Sequence, residues 1–245
     1  GGDGTAGNAV FAEAAQANIN VGNKSYVLLR PQSGKSWVLI LANPQDKFYV
    51  GSMSYDFSVD NFNDLFTNKT LTNVTALLSA MPMTAGVVVN APPFVNKMLP
   101  MSYLYEATEG INVNTKIGTS TVPLELTRSV AKIVVKSTVA DFTLSGIHSV
   151  YNMNKNTVLH NLSGNLETAA SMVDYIRNDA NEDFVSATAN VTDPIYVYEA
   201  KSGTGAYMII RAFYKGLESY YKIAIADDEL KYIDIKRNHE YRFTI

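Results

Sequence analysis

The residues that could do chemistry are few, and their spacing does not suit it. Ser33-Gly34-Lys35-Ser36 has the ending of a phosphate-binding loop, in which backbone amides and a lysine would cradle phosphates. The earlier glycine of such a loop would fall at Leu29, and an apolar strand pattern follows where a helix is required. His148, His160 and His239 are separated and have no carboxylates at ligand spacing, so no metal site is expected. Asp227-Asp228-Glu229 offers oxygens that calcium could use. It lacks the alternating ligands and central glycine of a calcium loop, however, and reads as a solvated hairpin tip. There is no Gly-x-Ser-x-Gly and no cysteine. The chain names no nucleophile or base, and it is read as a non-enzyme without a cofactor.

Composition narrows the class further. A chain of 245 residues with 47% apolar and 18% charged content can bury one large or two modest cores. A net charge of −3 supplies no basic field to hold phosphates, so nucleic acid is excluded as an expected partner. Without cysteine the fold rests on packing rather than disulfides. The sequence starts at Gly1, without an initiator Met or an apolar leader, and is expected to be a processed or truncated form.

The elements that must position these residues are mostly strands. Residues 36–42 (SWVLILA) are apolar on both phases, which predicts a strand covered on both faces. Ser58 has the character of an N-cap for a helix with Val59, Phe62, Leu65 and Phe66 on one side. A second helix would carry Val74, Leu77, Leu78 and Met81, with Pro82 ending it. A short helical turn is expected over 12–17, and extended segments over 84–96 and 98–105. The polar Gly, Asn and Thr stretch at 109–121 is the best boundary, giving residues 1–121 and 122–245 as two domains. Strands are then expected at 141–151, 195–199, 206–215, 219–226 and 240–245. Gly216-Leu217-Glu218 and Asp227-Asp228-Glu229 are read as hairpin turns that make the second half antiparallel. The tyrosines, 15 in all, suit cross-strand pairs, and some could line a glycan site. No repeat or sustained heptad occurs, so two sandwich-like domains are the economical reading.

Two stretches carry the most information. In 123–136 (PLELTRSVAKIVVK) the apolar phase runs through Leu124, Leu126 and Val130, then switches to Ala131, Ile133 and Val135. A one-residue slip sends side chains to the opposite face, so the strand must bulge or bend near Ser129, or pass between cores. Arg128 lies on the first apolar phase and is expected to pair with an acid or to reach water at the junction. The other stretch, 232–245 (YIDIKRNHEYRFTI), ends with Tyr241, Phe243 and Ile245 alternating against Glu240, Arg242 and Thr244.

These stretches resemble marks of the Bacteroidales-type fimbrillins, the subunits of type V fimbriae. The family's Leu-x-Arg-x-x-Ala-Lys/Arg strand is matched by Leu126, Arg128, Ala131 and Lys132. Its Arg-Asn-His-x-Tyr strand is matched by Arg237, Asn238, His239 and Tyr241. Leu99-Pro100-Met101-Ser102 and the Val38, Ala42, Asn43 strand ending are further echoes.

The resemblance implies a mainly β fold of two transthyretin-like antiparallel β-sandwich domains with a few short helices. It implies a structural subunit of a cell-surface fimbria, exported through the outer membrane as a lipoprotein precursor. Its implied partners are other fimbrial subunits, a maturation protease, and host or bacterial surface ligands. Subunits of the family join by donor-strand exchange: one copy's C-terminal strand fills a groove that proteolysis opens in the next. Ile133, Val135, Phe243 and Ile245 are the expected groove or edge residues, and ordinary core is their other reading. The family's chains run past the Arg-Asn-His-x-Tyr strand, whereas this sequence stops at Ile245. The alternative function is a monomeric or tip-located surface adhesin or carbohydrate-binding sandwich.

Overall fold

Among the described residues the chain is mainly β-structure with two short α-helices. The computed structural model describes residues 5–17, 19–21, 24–83, 98–119, 123–166, 172–176, 190–192 and 194–245. Two compact units result. The first takes Gly1–Ala80, Pro100–Thr127 and Val158–Gly164, and the second takes Met81–Leu99, Arg128–Thr157 and Asn165–Ile245.

In the first unit, β1 (Ile19–Val21) and β2 (Lys24–Tyr26) form a short antiparallel pair. Strand β3 (Ser36–Ala42) follows, then the hairpin of β4 (Lys47–Val50) and β5 (Met53–Asp56). Helix α1 (Val59–Phe66) starts where expected, because the Ser58 side chain accepts the Asn61 N–H at 3.2 Å. Thr70 does the same for Asn73 at 3.3 Å and starts α2 (Leu71–Leu77). This second helix ends before the expected Leu78 and Met81, so Pro82 is not what stops it. The backbone leaves the helix because Ser79 and Tyr49 exchange N–H···O bonds of 2.9 Å each, a pairing a helix could not make. Strand β6 (Met101–Ala107) runs antiparallel to β3, with Ser36 opposite Ala107 and Ala42 opposite Met101.

The core of this unit centres on Phe48, whose ring lies 4.8 Å from Phe62, 5.2 Å from Phe57 and 5.6 Å from Tyr55 between centroids. Phe48 and Phe66 are fully buried. Residues 12–17 carry no helix, and the expected extended segment at 84–96 lies outside the described residues.

Strand β7 (Thr127–Arg128) stops at Ser129, and β8 (Val130–Lys136) begins after it. The break falls where the apolar phase switches, and Ser129 itself is fully buried. Beyond it, β9 (Phe142–Asn154), β10 (Met172–Ile176), β11 (Ile195–Tyr198), β12 (Tyr207–Tyr214), β13 (Leu217–Ala224) and β14 (Glu240–Thr244) complete the second unit. One sheet is antiparallel in the order β10-β9-β12-β13; the other has the order β11-β8-β14. Their inward residues form a sandwich core, with Ile133, Val135, Leu144, Met153, Val197, Met208 and Ile210 all inaccessible to solvent.

Two details depart from the sequence reading. Strand β14 runs parallel to β8, with Tyr241 beside Ile133 and Phe243 beside Val135. Parallel pairing is possible because 225–239 separates β13 from β14, long enough for a crossover between sheets. The turn between β12 and β13 is Lys215-Gly216, one residue earlier than read, and both residues have positive φ (48° and 79°). That is the type I′ geometry that matches the twist of a two-residue hairpin.

Candidate assembly edges

The two motif stretches meet in space and clasp β8 to β14. Asn238 adopts a left-handed φ of 58°, and its N–H reaches the Val130 carbonyl at 2.8 Å. Its Oδ1 accepts from Arg128, from Nη1 at 3.2 Å and from the backbone N–H at 3.4 Å. Arg128 is exposed, so the amide orients it while its charge stays in water. The His239 carbonyl accepts the Lys132 N–H at 2.9 Å, and the His239 ring Nδ1 lies 2.8 Å from the Arg237 carbonyl. Lys132 Nζ sits 2.7 Å from Glu240 Oε2, and Arg242 also bonds to Glu240. The hydrogen bonds from Lys132, then Arg242, hold the Glu240 carboxyl below its ordinary range, and desolvation opposes them.

Arg237 is turned inward and pairs with Glu199 in bidentate fashion, Nη2 to Oε1 at 2.5 Å and Nε to Oε2 at 2.9 Å. The two side chains are 11% and 8% exposed, so the pair is nearly dry. Thr157 Oγ1 closes the group, accepting from Arg237 Nη2 and donating to Glu199 Oε1, each at 3.1 Å. Tyr241 locks the approach to β14: its O–H donates to the Asp234 carbonyl at 2.8 Å and accepts the Lys236 N–H at 2.7 Å. This back-bond across a bend is the geometry of a tyrosine corner. Burial pushes the Tyr241 phenol up, and the Lys236 hydrogen bond opposes that in part. Glu199 and Thr157 carried no local sequence signal; only the fold brings them to Arg237.

This clasp is structural, and what it leaves open is a set of strand edges. Strand β8 is flanked by β11 and β14, so Ile133 and Val135, both fully buried, belong to a ladder occupied on both sides. Among the described residues β14 is an outer strand of its sheet; its Tyr241 and Phe243, and Ile245 just after it, are half-buried. Ile245 bonds through its N–H to Lys136 and through its carbonyl to Thr138, both at 2.9 Å. The charged Glu240 and Arg242 guard this edge.

Another open edge is that of β3. Among the described residues its one ladder neighbour is β6, and all seven of its residues are half-buried. The sequence pattern predicts full cover for Trp37, Val38, Leu39, Ile40 and Leu41. The structure gives them partial cover on both faces, because β3 stands at the edge of its sheet. Apolar side chains on both faces next to a half-used ladder can receive an added strand, which would supply both main-chain bonds and side-chain cover. Among the described residues no group of His, Asp or Glu could hold a metal, and no helix is long and apolar enough to cross a membrane.

No family model matches the chain, and no curated protein does. Fimbrial proteins are among the solved structures similar to it. The tip fimbrial protein Mfa3 from Porphyromonas gingivalis, with a C-terminal truncation, aligns with 93% of this chain and 81% of its own, at 18% identity and a TM-score of 0.48. A fimbrial assembly protein from Parabacteroides distasonis aligns with 86% of this chain and 62% of its own, at 16% identity and a TM-score of 0.45. A candidate cell adhesion protein from Bacteroides eggerthii aligns with 91% of this chain and 71% of its own, at 15% identity and a TM-score of 0.47.

Proposed function

We propose that this protein is a structural subunit of a cell-surface fimbria, joined to neighbouring subunits by donor-strand exchange and supporting adhesion. The observation that carries the proposal is β3, an apolar edge strand whose seven residues are all left half-exposed. A strand donated by another subunit would complete the ladder and cover the apolar side chains at once. The sequence motifs of 123–136 and 232–245 support the same reading, since their residues form the clasp that holds β14 against β8. On this reading the precursor is a lipoprotein carried through the outer membrane, and a protease opens the groove. On the same reading the two sandwich domains are built mainly from residues 1–121 and from residues 122–245.

The test is assembly. Purified protein carrying its native flanking sequence is trimmed with protease and followed by electron microscopy and light scattering, beside Leu39→Asp and Ile40→Asp, which place a charge on either face of β3. Filaments from the parent, and none from variants that keep the parent's far-ultraviolet dichroism, are expected. Filaments that form equally well from both variants would refute an acceptor role for β3. Trimmed parent that stays monomeric while binding glycans would favour the tip-adhesin alternative.

A further inference from the structure

Strand β13 presents a further open edge, with a charge pattern that is complementary to itself. We propose that two copies of this chain pair antiparallel through β13, about a twofold axis at Tyr220, so that their β10-β9-β12-β13 sheets become continuous. This contact is distinct from strand donation at β3 and does not depend on it.

The strand order places β13 last in its sheet, with β12 on one side and no strand on the other among the described residues. Its pairing with β12 runs from Tyr207–Ala224 to Tyr214–Leu217 with no register shift, whereas the β12 and β9 pairing shifts twice. An edge without a bulge or a proline is the kind natural sheets usually blunt.

The hairpin fixes which backbone groups face outward. A two-residue turn closes with a bond from Leu217 to Tyr214, and the Ile225 N–H reaches the Ala206 carbonyl at 3.0 Å at the far end. The odd-numbered residues of β13 therefore bond toward β12, and the N–H and C=O groups of Glu218 and Lys222 point away from it.

Their side chains select the register. With the axis at Tyr220, Glu218 lies opposite Lys222 of the second copy, and Lys222 lies opposite its Glu218. Moving the axis to Lys222 sets lysine against lysine, and moving it to Tyr221 sets Glu218 against Ala224 and Lys222 against Tyr220. The same register puts Leu217, 74% exposed, across from Ile223 of the second copy, giving that side chain the cover it lacks. In the single molecule Glu218 is held by Arg211 at 3.0 Å, and Lys222 Nζ lies 4.0 Å from the centre of the Tyr207 ring. Both charges are thus already oriented on the outer face of the sheet.

The test is a charge swap read by sedimentation. Glu218→Lys gives a copy with two lysines at the edge, and Lys222→Glu gives a copy with two glutamates. The parent should show a concentration-dependent monomer–dimer equilibrium that weakens with salt. Each variant alone should dimerise at least about tenfold more weakly, and an equimolar mixture of the two should regain the dimer, since both edge lysines of one copy then face both edge glutamates of the other. The mixture excludes a folding defect as the cause of the loss. If Glu218→Lys does not fold beside Arg211, Glu218→Gln keeps an oxygen for that arginine and should weaken the dimer while flattening its salt dependence. A parent that stays monomeric up to about 1 mM, single variants that dimerise like the parent, or folded variants that do not associate on mixing would each overturn the proposal.

Discussion

The Arg237, Glu199 and Thr157 group shows how one motif residue acts through partners the sequence never announces. A guanidinium and a carboxylate that are 11% and 8% exposed have given up most of their hydration, and the bidentate geometry compensates together with the Thr157 hydroxyl. Removing one partner strands the other charge, so Glu199→Ala should cost about 3–5 kcal/mol in denaturant unfolding. The double variant Arg237→Met/Glu199→Leu should cost far less, because it removes both charges at similar volume. Equal losses in the two would mean the site is held by shape rather than charge. Tyr241 supplies a pH test. Burial raises its phenol, so above the ordinary value of 10.0 the unfolded chain gives up that proton before the folded one. The Tyr241 contribution is therefore intact below pH 10 and lost as pH rises through the folded-state value. Tyr241→Phe should lose about 1 kcal/mol at neutral pH by leaving Lys236 N–H and Asp234 C=O without that partner, and should show a shallower alkaline decline. An unchanged alkaline slope would assign the decline to other tyrosines. Arg128 was legible as a residue that would reach water, and it does; the partner that orients it is the Asn238 amide and not the expected acid. Glu199 was not legible, since nothing near it in the chain marks an acid that will be buried 38 residues from its arginine.

At the level of elements, alternation and capping chemistry were readable, and pairing direction was not. Ser58 signalled α1 because an N-cap is local, and the phase switch signalled the break at Ser129 because period-2 side chains cannot change face without one. The end of α2 was missed because the competing partner of Ser79 is Tyr49, 30 residues away in sequence. The parallel course of β14 was missed for a similar reason: strand pattern is identical for either direction, and only the crossover decides it. The half-exposure of β3 was missed because an apolar run predicts cover but does not say which chain supplies it. The hairpin of β12 and β13 gives the element-scale prediction. Gly216, at φ 79° with open space where a Cβ would stand, pays only in backbone strain when replaced, so Gly216→Ala should cost about 1 kcal/mol. Lys215 already sits at φ 48°, and Lys215→Asn creates the Asn-Gly pair that type I′ turns prefer, which should raise the unfolding midpoint. A destabilised Lys215→Asn variant would mean that the Lys215 ammonium, 5.3 Å from the centre of the Tyr214 ring, contributes more than the turn preference gains.

For the whole molecule, chain order and compact unit do not coincide, and that bears on how the protein can be cut. The second unit includes Met81 and Met83: the Tyr198 O–H donates to the Met81 carbonyl at 2.6 Å, and the Met83 N–H reaches the Lys155 carbonyl at 2.7 Å. The first unit includes Val158–Gly164, where the Leu159 N–H bonds to the Leu78 carbonyl at 2.9 Å and the His160 ring lies 3.0 Å from Ser102 Oγ. A boundary at 121/122 read from polar composition follows the chain, whereas the cores draw on residues from either side of it. Fragments 1–121 and 122–245 test what those returning segments contribute. Tyr198 and Leu159 are deeply buried, so each fragment would leave buried groups without the partners named above, at about 1–3 kcal/mol for each such group. With net stability of a domain near 5–15 kcal/mol, the expected outcome is two fragments that unfold at lower denaturant than the intact chain, each with reduced cooperativity. Extending the second fragment to begin at residue 81 should restore much of its midpoint. Full stability of 122–245 on its own would instead mean that the sandwich of β8 to β14 carries its own core, and that Met81 and Met83 merely rest against it.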